Sequence, residues 1–470
     1  MRYVDLFSGC GGLSLGIERA GGRLEMAVEK SEMAARTFAH NLIFDAEDPR
    51  GWDDYLSKPL NYQSQHGLVV NELAVVLEDE NLMSDLKDRE LDLVVGGPPC
   101  QGFSLAGRRN PNDTRNELPW QYLDFIQQTA PAAVVIENVV GMDRKFPNSD
   151  SSPFNDLCTA LEATPPGYLV QKVNVNAMHY GAPQHRPRLM LIAMRNDIAS
   201  DLGLTVSSDT WNSAFLPLTE IPDLVPRPTV SFEERRTVRD AIWDLQDAEV
   251  HNSDGPQTYL EEMTDATRWG LKPVSSTEKA NHVLRKHRVS TIERFAIYQS
   301  FASHGVDNRV IHRYSSADPS GARQVVQAAV HPSLYPIKTP SGNVVAATED
   351  DLLSLLNRLR TKKHSQRVLR WDEPARTVVT LPDDYVHPSE ARVLTVRELA
   401  RLQGFPDAFT FLGKETTGAL RRRLEVPQYS QVGNAVSPWL AYAVGTRISE
   451  VLSMSRRMPK SLCDQAAAKR

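Results

Sequence analysis

Up to about Arg195, short apolar runs alternate with stretches whose apolar positions recur at helical spacing, so strands and helices take turns along the chain. Tyr3-Phe7, Met26-Glu29, Leu91-Val95, Ala133-Glu137, Val170-Val175 and Leu189-Met194 read as strands. Leu13-Ala20, Glu32-Asn41, Trp120-Thr129 and Phe154-Glu162 read as the helices between them. This alternation predicts an α/β fold: a doubly wound, mostly parallel sheet with helices on both faces. Only Met178 to Arg188 separates the last two strands, too little for a crossover helix, so that pair is predicted to be antiparallel. The stretch from Phe44 to Leu86 is long for a connection, and its Asp-Ala-Glu-Asp-Pro-Arg-Gly start predicts a surface insertion.

Beyond Arg195 the texture changes. Residues 196 to about 365 are richer in Ser, Thr and Pro, are weakly periodic, and include the loop-like stretches Ser207-Arg227 and Val250-Gln257. Apolar order returns at Ala375-Thr380 and in two expected helices, Val396 to Gln403 and Pro438 to Ser453. The chain therefore divides into a first α/β part (1-195), an inserted middle domain (196-374), a return to the first domain (375-454) and a frayed tail (455-470). At 470 residues, more than one core is expected. No internal repeat is evident.

Composition is that of an ordinary globular protein, and the net charge of −6 excludes a polycation, so a nucleic-acid surface has to be local. Two basic stretches qualify: Arg285-Lys286-His287-Arg288, and Arg358 to Arg376 with Lys362, Lys363, Arg367 and Arg370. Each is either a solvated face or a phosphate contact. The four cysteines, Cys10, Cys100, Cys158 and Cys463, form no CxxC pair, which argues against a disulfide framework and a zinc site, and no metal is expected. A reducing cytoplasm fits best. Tyr3-Phe7 already reads as a strand, which argues against a signal peptide, and no apolar run is long enough to span a membrane.

The chemistry concentrates at strand ends. After Leu91-Val95 comes GGPPCQGFS, Gly96 to Ser104, which places the thiol of Cys100 at the carboxyl end of a central strand, where open α/β sheets hold their ligands. A buried structural cysteine is the bland alternative, but a proline pair and a Gln-Gly turn are unusual surroundings for one. The first strand feeds Asp5-Leu6-Phe7-Ser8-Gly9-Cys10-Gly11-Gly12, a glycine-rich loop at a helix start; such loops serve many nucleotide-like cofactors, and some only turn the chain. Glu29 closes the second strand, either as a carboxylate for two ribose hydroxyls or as a surface charge. Glu137 ends another buried strand as Glu-Asn-Val, where a carboxyl could donate a proton to a ring nitrogen. In Gln184-His185-Arg186-Pro187-Arg188, alternation puts Gln184, Arg186 and Arg188 on one face, free to hold a base carbonyl, a phosphate, or Glu137 itself.

In order, DLFSGCGG, the acidic strand end at Glu29, GGPPCQGFS, DTRNELPW, ENV, QHRPR, RELARLQGFPD and QVGNAVSP closely resemble the DNA cytosine-5 methyltransferases, over about residues 1 to 195 and 375 to 453. The resemblance implies a Rossmann-like S-adenosylmethionine-dependent catalytic domain with a smaller target-recognition domain at about 196 to 374. It implies that Cys100 attacks carbon 6 of a flipped cytosine, that Glu137 protonates or hydrogen-bonds ring nitrogen 3, and that Arg186 and Arg188 bind the base carbonyl and steady Glu137. The site then has to favour thiolate, since a bare thiol is mostly protonated at neutral pH. For S-adenosyl-L-methionine, it implies Phe7 against the adenine, Ser8, Gly9, Cys10, Gly11 and Gly12 around the methionine part, and Glu29 on the ribose. Leu118 would flank the adenine, and Asn434 and Val436 would complete the methionine pocket. Pro98 joins this set, and Glu72-Leu73 is the nearest candidate for the family's acidic-hydrophobic pair at the adenine amino group. RELARLQGFPD, apolar at helical spacing, is read as packing the recognition domain onto the scaffold.

The expected partner is double-stranded DNA in a specific sequence, methylated by a monomer that protects host DNA beside a cognate restriction endonuclease or within another defence system. The alternatives are a transfer RNA cytosine-5 methyltransferase on the same scaffold, and a catalytically dead DNA-binding regulator. A recognition region of this length argues against the first, and the intact Cys100, Glu137, Arg186 and Arg188 argue against the second. The modest total charge predicts DNA binding that is weak at high salt unless the middle domain concentrates its cations.

Overall fold

The computed structural model describes residues 1–99, 117–145, 150–246, 255–273, 279–339, 342–361, 365–418, 421 and 425–457. Numbered along the chain, the first nine strands are β1 (Arg2–Leu6), β2 (Arg23–Val28), β3 (Leu68–Val69), β4 (Leu93–Gly96), β5 (Ala133–Asn138), β6 (Tyr168–Asn176), β7 (Gln184–His185), β8 (Pro187–Arg195) and β9 (Trp211–Asn212). All but β7 join one sheet in the order β3-β2-β1-β4-β5-β8-β6-β9. The strands from β3 to β5 in that order are parallel neighbours, and β8 runs antiparallel between β5 and β6, as the short β6–β8 connection requires.

Alternation along each strand sorts the side chains onto two covered faces. Val4, Leu6, Val94, Val134 and Ile136 pack against Tyr122, Phe125 and Ile126 of helix Leu118–Thr129. Tyr3, Leu93, Val95 and Val135 face the other way, toward Leu13 and Ile17 of helix Gly12–Arg19 and Leu440, Val444 and Ile448 of helix Pro438–Arg457. The first and last described helices thus cover one face together, which closes the discontinuous domain. That last helix runs through Arg457, so Ser455 to Arg457 belong to it and not to a tail, because Leu452 still packs in the core; residues 458–470 lie outside the described residues.

Residues 44 to 86 are not a surface insertion. Their two-residue β3 pairs with β2 at the sheet edge, and Trp52, Tyr55, Val76, Met83 and Leu86 are buried beneath short helices. Strand and helices here are each too short to declare themselves by periodicity, which is why the segment reads as an elaborate connection.

A separate core gathers Phe295, Tyr298, Phe301, Ile311, Tyr314, Val326, Leu352 and Leu356, with Val386 and Val393 returning to it. It is built on helices Val289–Ser303, Arg309–Ser316, Pro319–Gln327 and Glu349–Arg358 and on the antiparallel pair β10 (Ile337–Lys338) and β11 (Val344–Ala346). This core starts well past residue 196. Ala199, Leu224 and Val225 pack with the sheet, and Val238, Tyr259 and Trp269 share a core with Phe405 and Trp439. Three short strands lead the chain back: β12 (Arg367–Val368), β13 (Ala375–Arg376) and β14 (Tyr385–Val386). Of these, β12 pairs with β14, and β13 runs parallel to β7.

Candidate active site

At the carboxyl end of β1 the chain turns through three left-handed residues, Phe7 (φ 59°), Gly9 (φ 57°) and Gly11 (φ 97°), before helix Gly12–Arg19. A non-glycine residue there carries backbone strain, of the kind that sites hold in place through surrounding contacts. Glu29, at the end of β2, fixes the loop: Gly9 N–H donates to its Oε2 at 2.9 Å and Ser31 N–H to its Oε1 at 2.7 Å. Burial pushes the Glu29 carboxyl up, opposed by those N–H groups and by Lys30. A carboxylate offers about four lone-pair sites, so Glu29 keeps acceptor capacity for a diol.

Gly12 has to be glycine. A Cβ there would lie 2.4 Å from the Val436 carbonyl oxygen, so the return segment seats directly on the start of the helix. Val436 is buried, while Asn434 ends helix Gln428–Asn434 exposed to solvent. Above the loop, a Cβ at Gly9 would meet nothing within 4 Å, and the buried Ser8 Oγ has no hydrogen-bond partner among the described residues. Open space, an orphaned hydroxyl and a carboxylate at the next strand end fit a nucleoside-bearing cofactor. Glu72 and Leu73 lie just past β3, beside that strand end: Glu72 pairs with Lys30, and Leu73 is buried at the start of helix Leu73–Leu77. Leu118 begins the helix whose Tyr122 hydroxyl lies within hydrogen-bond distance of the Val94 and Val135 carbonyls, inside β4 and β5. Cys10 is buried, with its thiol on the Gln431 carbonyl and its pKa pushed up to about 12 by burial, so it is an inert packing residue of the loop.

The second half of the site lies where β4 and β5 end. Glu137 Oε1 meets Arg188 Nε at 2.6 Å, both side chains being 12% exposed. A Cβ at Gly97 would lie 2.9 Å from Glu137 Oε2, so the carboxyl spans from Arg188 to the turn after β4. Asn138 Nδ2 donates to the Pro98 carbonyl at 3.1 Å, tying the same turn to β5. Pro98 is buried and Pro99 exposed; Cys100, Gln101 to Ser104 and the residues through Asn116 lie outside the described residues.

Arg188 and Arg186 part company. Arg186 is buried and donates to the carbonyls of Val378, Gly433 and Ala435 at 3.1, 2.8 and 2.8 Å, while Gln184 binds the Leu402 carbonyl and the Val378 N–H. These two side chains are a socket for the returning chain, and Arg188 alone of the three reaches Glu137. The structure also gathers a buried network that sequence pattern alone does not signal. Arg401 pairs with Asp244 and Asp407, and Arg397 donates to the carbonyls of Ala280, Pro406 and Phe409. Both arginines lie on helix Val396–Gln403, whose bounds the apolar spacing gives, but their partners are scattered across the sequence.

The C-5 cytosine-specific DNA methylase family model matches residues 1–450. The type II methyltransferase M.DdeI of Desulfomicrobium norvegicum is 28% identical over 96% of this chain and 88% of its own length. M.AgeI of Thalassovita gelatinovora, also a type II methyltransferase, is 28% identical over 96% of this chain and all of its own. An E. coli protein whose crystal structure is titled as a candidate prophage-encoded DNA modification methyltransferase superposes with a TM-score of 0.54 over 96% of this chain and 99% of that one, at 24% identity, a likeness of fold.

Proposed function

Because this chain belongs to the C-5 cytosine-specific DNA methylase family, it transfers a methyl group from S-adenosyl-L-methionine to carbon 5 of cytosine in DNA, and we propose that Cys100, Glu137 and Arg188 carry the chemistry. The observation that supports this assignment is the Glu137 carboxyl, held by Arg188 on one oxygen while the other overlies Gly97, three residues before Cys100. A cytosine flipped out of the duplex enters between them. Cys100 thiolate forms a bond to carbon 6, the Glu137 carboxyl gives its proton to ring nitrogen 3 as electron density builds there and takes it back when the adduct breaks down, and carbon 5 becomes nucleophilic. Arg188 keeps the carboxyl oriented, a positioning role that it reaches through Glu137. S-adenosyl-L-methionine supplies the electrophilic methyl group; loss of the proton from carbon 5 then lets the carbon–sulfur bond to Cys100 break, which restores the ring.

Phe7, the Ser8–Gly12 loop, Glu29, Glu72, Leu73, Pro98, Leu118, Asn434 and Val436 are assigned to hold the cofactor. Glu29 faces the ribose with its remaining lone pairs, and the Ser8 Oγ, which has no hydrogen-bond partner among the described residues, is offered to the cofactor. Arg186, from its contacts, is assigned to the scaffold. Residues 289–359, which form their own core, are proposed as the heart of the target-recognition domain. Between DNA and transfer RNA, the family match decides for DNA. The enzyme is further proposed to act in the cytoplasm as a monomer on a specific duplex sequence, guarding host DNA beside a cognate endonuclease.

The covalent step is tested with random-sequence duplexes carrying 5-fluorocytosine, from which the carbon 5 substituent cannot leave as a proton. With S-adenosyl-L-methionine the wild-type chain is expected to form a denaturant-stable protein–DNA adduct, and Cys100→Ser none. An equal adduct from Cys100→Ser removes the nucleophile assignment.

A further inference from the structure

A groove opens between the small-core helices Val289–Ser303 and Arg309–Ser316 and the strands β12 to β14. One part has a volume of about 380 Å³, and an adjoining part of about 550 Å³ shares Arg309 and Arg367 with it. Five arginines line it, Arg309, Arg313, Arg367, Arg370 and Arg376, in a chain whose net charge is −6. Arg309 is held by Asp307 and Arg370 by Glu373. Arg313, Arg367 and Arg376 donate no side-chain hydrogen bond to any described residue, although Arg313 and Arg376 are exposed and Arg367 is half-buried. Elsewhere arginines with nearby carboxylates have taken them: Arg323 pairs with Glu349 and Asp350, and Arg358 with Glu293. Three guanidiniums without a side-chain hydrogen bond among the described residues, of which Arg367 lies within the field of the Asp307 carboxylate, line one groove, and each is able to grip a phosphate with two parallel N–H groups.

The groove is joined to the catalytic face. Arg376 lies opposite His185 in the β13–β7 pair, and Thr377 Oγ1 donates to the His185 carbonyl at 2.8 Å. Three residues beyond His185 is Arg188, on Glu137. A backbone lying in the groove therefore passes beside β7, which leads directly into the strand β8 that carries Arg188.

Resting on the DNA methylase reading, we infer that Arg313, Arg367 and Arg376 form a phosphate track that holds the duplex backbone flanking the target cytosine. The track supplies sequence-independent affinity and register, leaving base choice to other side chains. It also gives an acidic chain a local cationic surface for DNA, with five arginines lining one groove.

The test compares the full-length wild type with the triple variant Arg313→Gln/Arg367→Gln/Arg376→Gln and with a charge-matched control, Arg23→Gln/Arg50→Gln/Lys87→Gln, at exposed positions on other elements. Binding of a fluorescent random-sequence duplex of about 30 base pairs is measured against salt, where each phosphate contact contributes about 0.9 to the slope of log K on log salt. The groove variant is expected to lose about 2 to 3 of that slope and on the order of a hundredfold in affinity at about 0.1 M salt, with the control near wild type. The single variant Arg313→Gln, at an exposed site, is expected to lose about 0.9 of the slope. Cofactor binding and melting temperature verify folding. Groove and control variants with the same slope overturn the inference. A wild-type chain that neither binds nor methylates duplex DNA overturns the functional reading beneath it.

Discussion

Gly97 bears directly on the placement of Glu137. A methyl group at residue 97 would sit 2.9 Å from Glu137 Oε2, close enough to push the carboxyl off the turn that leads to Cys100. Gly97→Ala is expected to lower kcat about tenfold or more while leaving cofactor affinity intact, and Glu137→Gln to cost about 10² to 10⁴ in kcat, as loss of a positioned acid does. Steady-state kinetics on methylated-product formation check both. Asp5 gives a pH signature. Burial lifts its carboxyl to about 7, against a bond from the Ser14 hydroxyl and with a push from Glu29. In the unfolded chain the same group titrates near ~3.9. The folded protein thus holds this proton more tightly, and the Asp5 contribution to stability is full in acid and lost as pH rises toward about 7. Asp5→Asn keeps an acceptor for Ser14 and removes the titration. Melting temperatures of wild type and variant are expected to diverge in the variant's favour from pH ~4 to ~7 and to run parallel above; parallel curves throughout contradict it.

Among the elements, the two arginines of QHRPR separate structure from chemistry. Arg186 satisfies three buried carbonyls of the returning chain, and removing it leaves them without a donor in a site closed to water. Arg186→Met is expected to cost about 3 to 5 kcal/mol of stability. Arg188→Met, which strands one carboxyl and not three carbonyls, is expected to cost less stability than Arg186→Met and to lower kcat, because its main partner is the Glu137 carboxyl. Thermal unfolding beside kinetics tells them apart. The strands around this motif were legible as short apolar runs, because β1, β4, β5, β6 and β8 are buried on both faces. The roles within it were not, since Val378, Gly433 and Ala435 lie far along the chain and no periodicity points to them. Likewise β3, with two residues, and helix Val289–Ser303, which buries Phe295 and Tyr298 yet exposes Val289 and Ile292, have no pattern that a linear reading can follow. That the glycine loop and Glu29 sit at neighbouring strand ends was legible because their placement is local. The seat of Val436 on Gly12 came only with the fold.

For the whole molecule, the first and last described helices share one face of the sheet, so the Ser8–Gly12 loop at one end of the sequence and QVGNAVSP at the other meet across the N-terminus of helix Gly12–Arg19. The small core is built on the sequence between them, and the arginine groove lies along its junction with the strands that carry the chain home. The arginine groove and the Glu137–Arg188 pair thereby converge through β7, which pairs with β13 on one side and leads into β8 on the other. The most direct measurement of that convergence is bisulfite sequencing of DNA from a naive host expressing the chain, beside a host expressing Cys100→Ser. The account predicts methylated cytosines confined to one short sequence context with the wild type and none with the variant. Unmethylated DNA from a folded, cofactor-binding wild type, or the same methylation from Cys100→Ser, would contradict it.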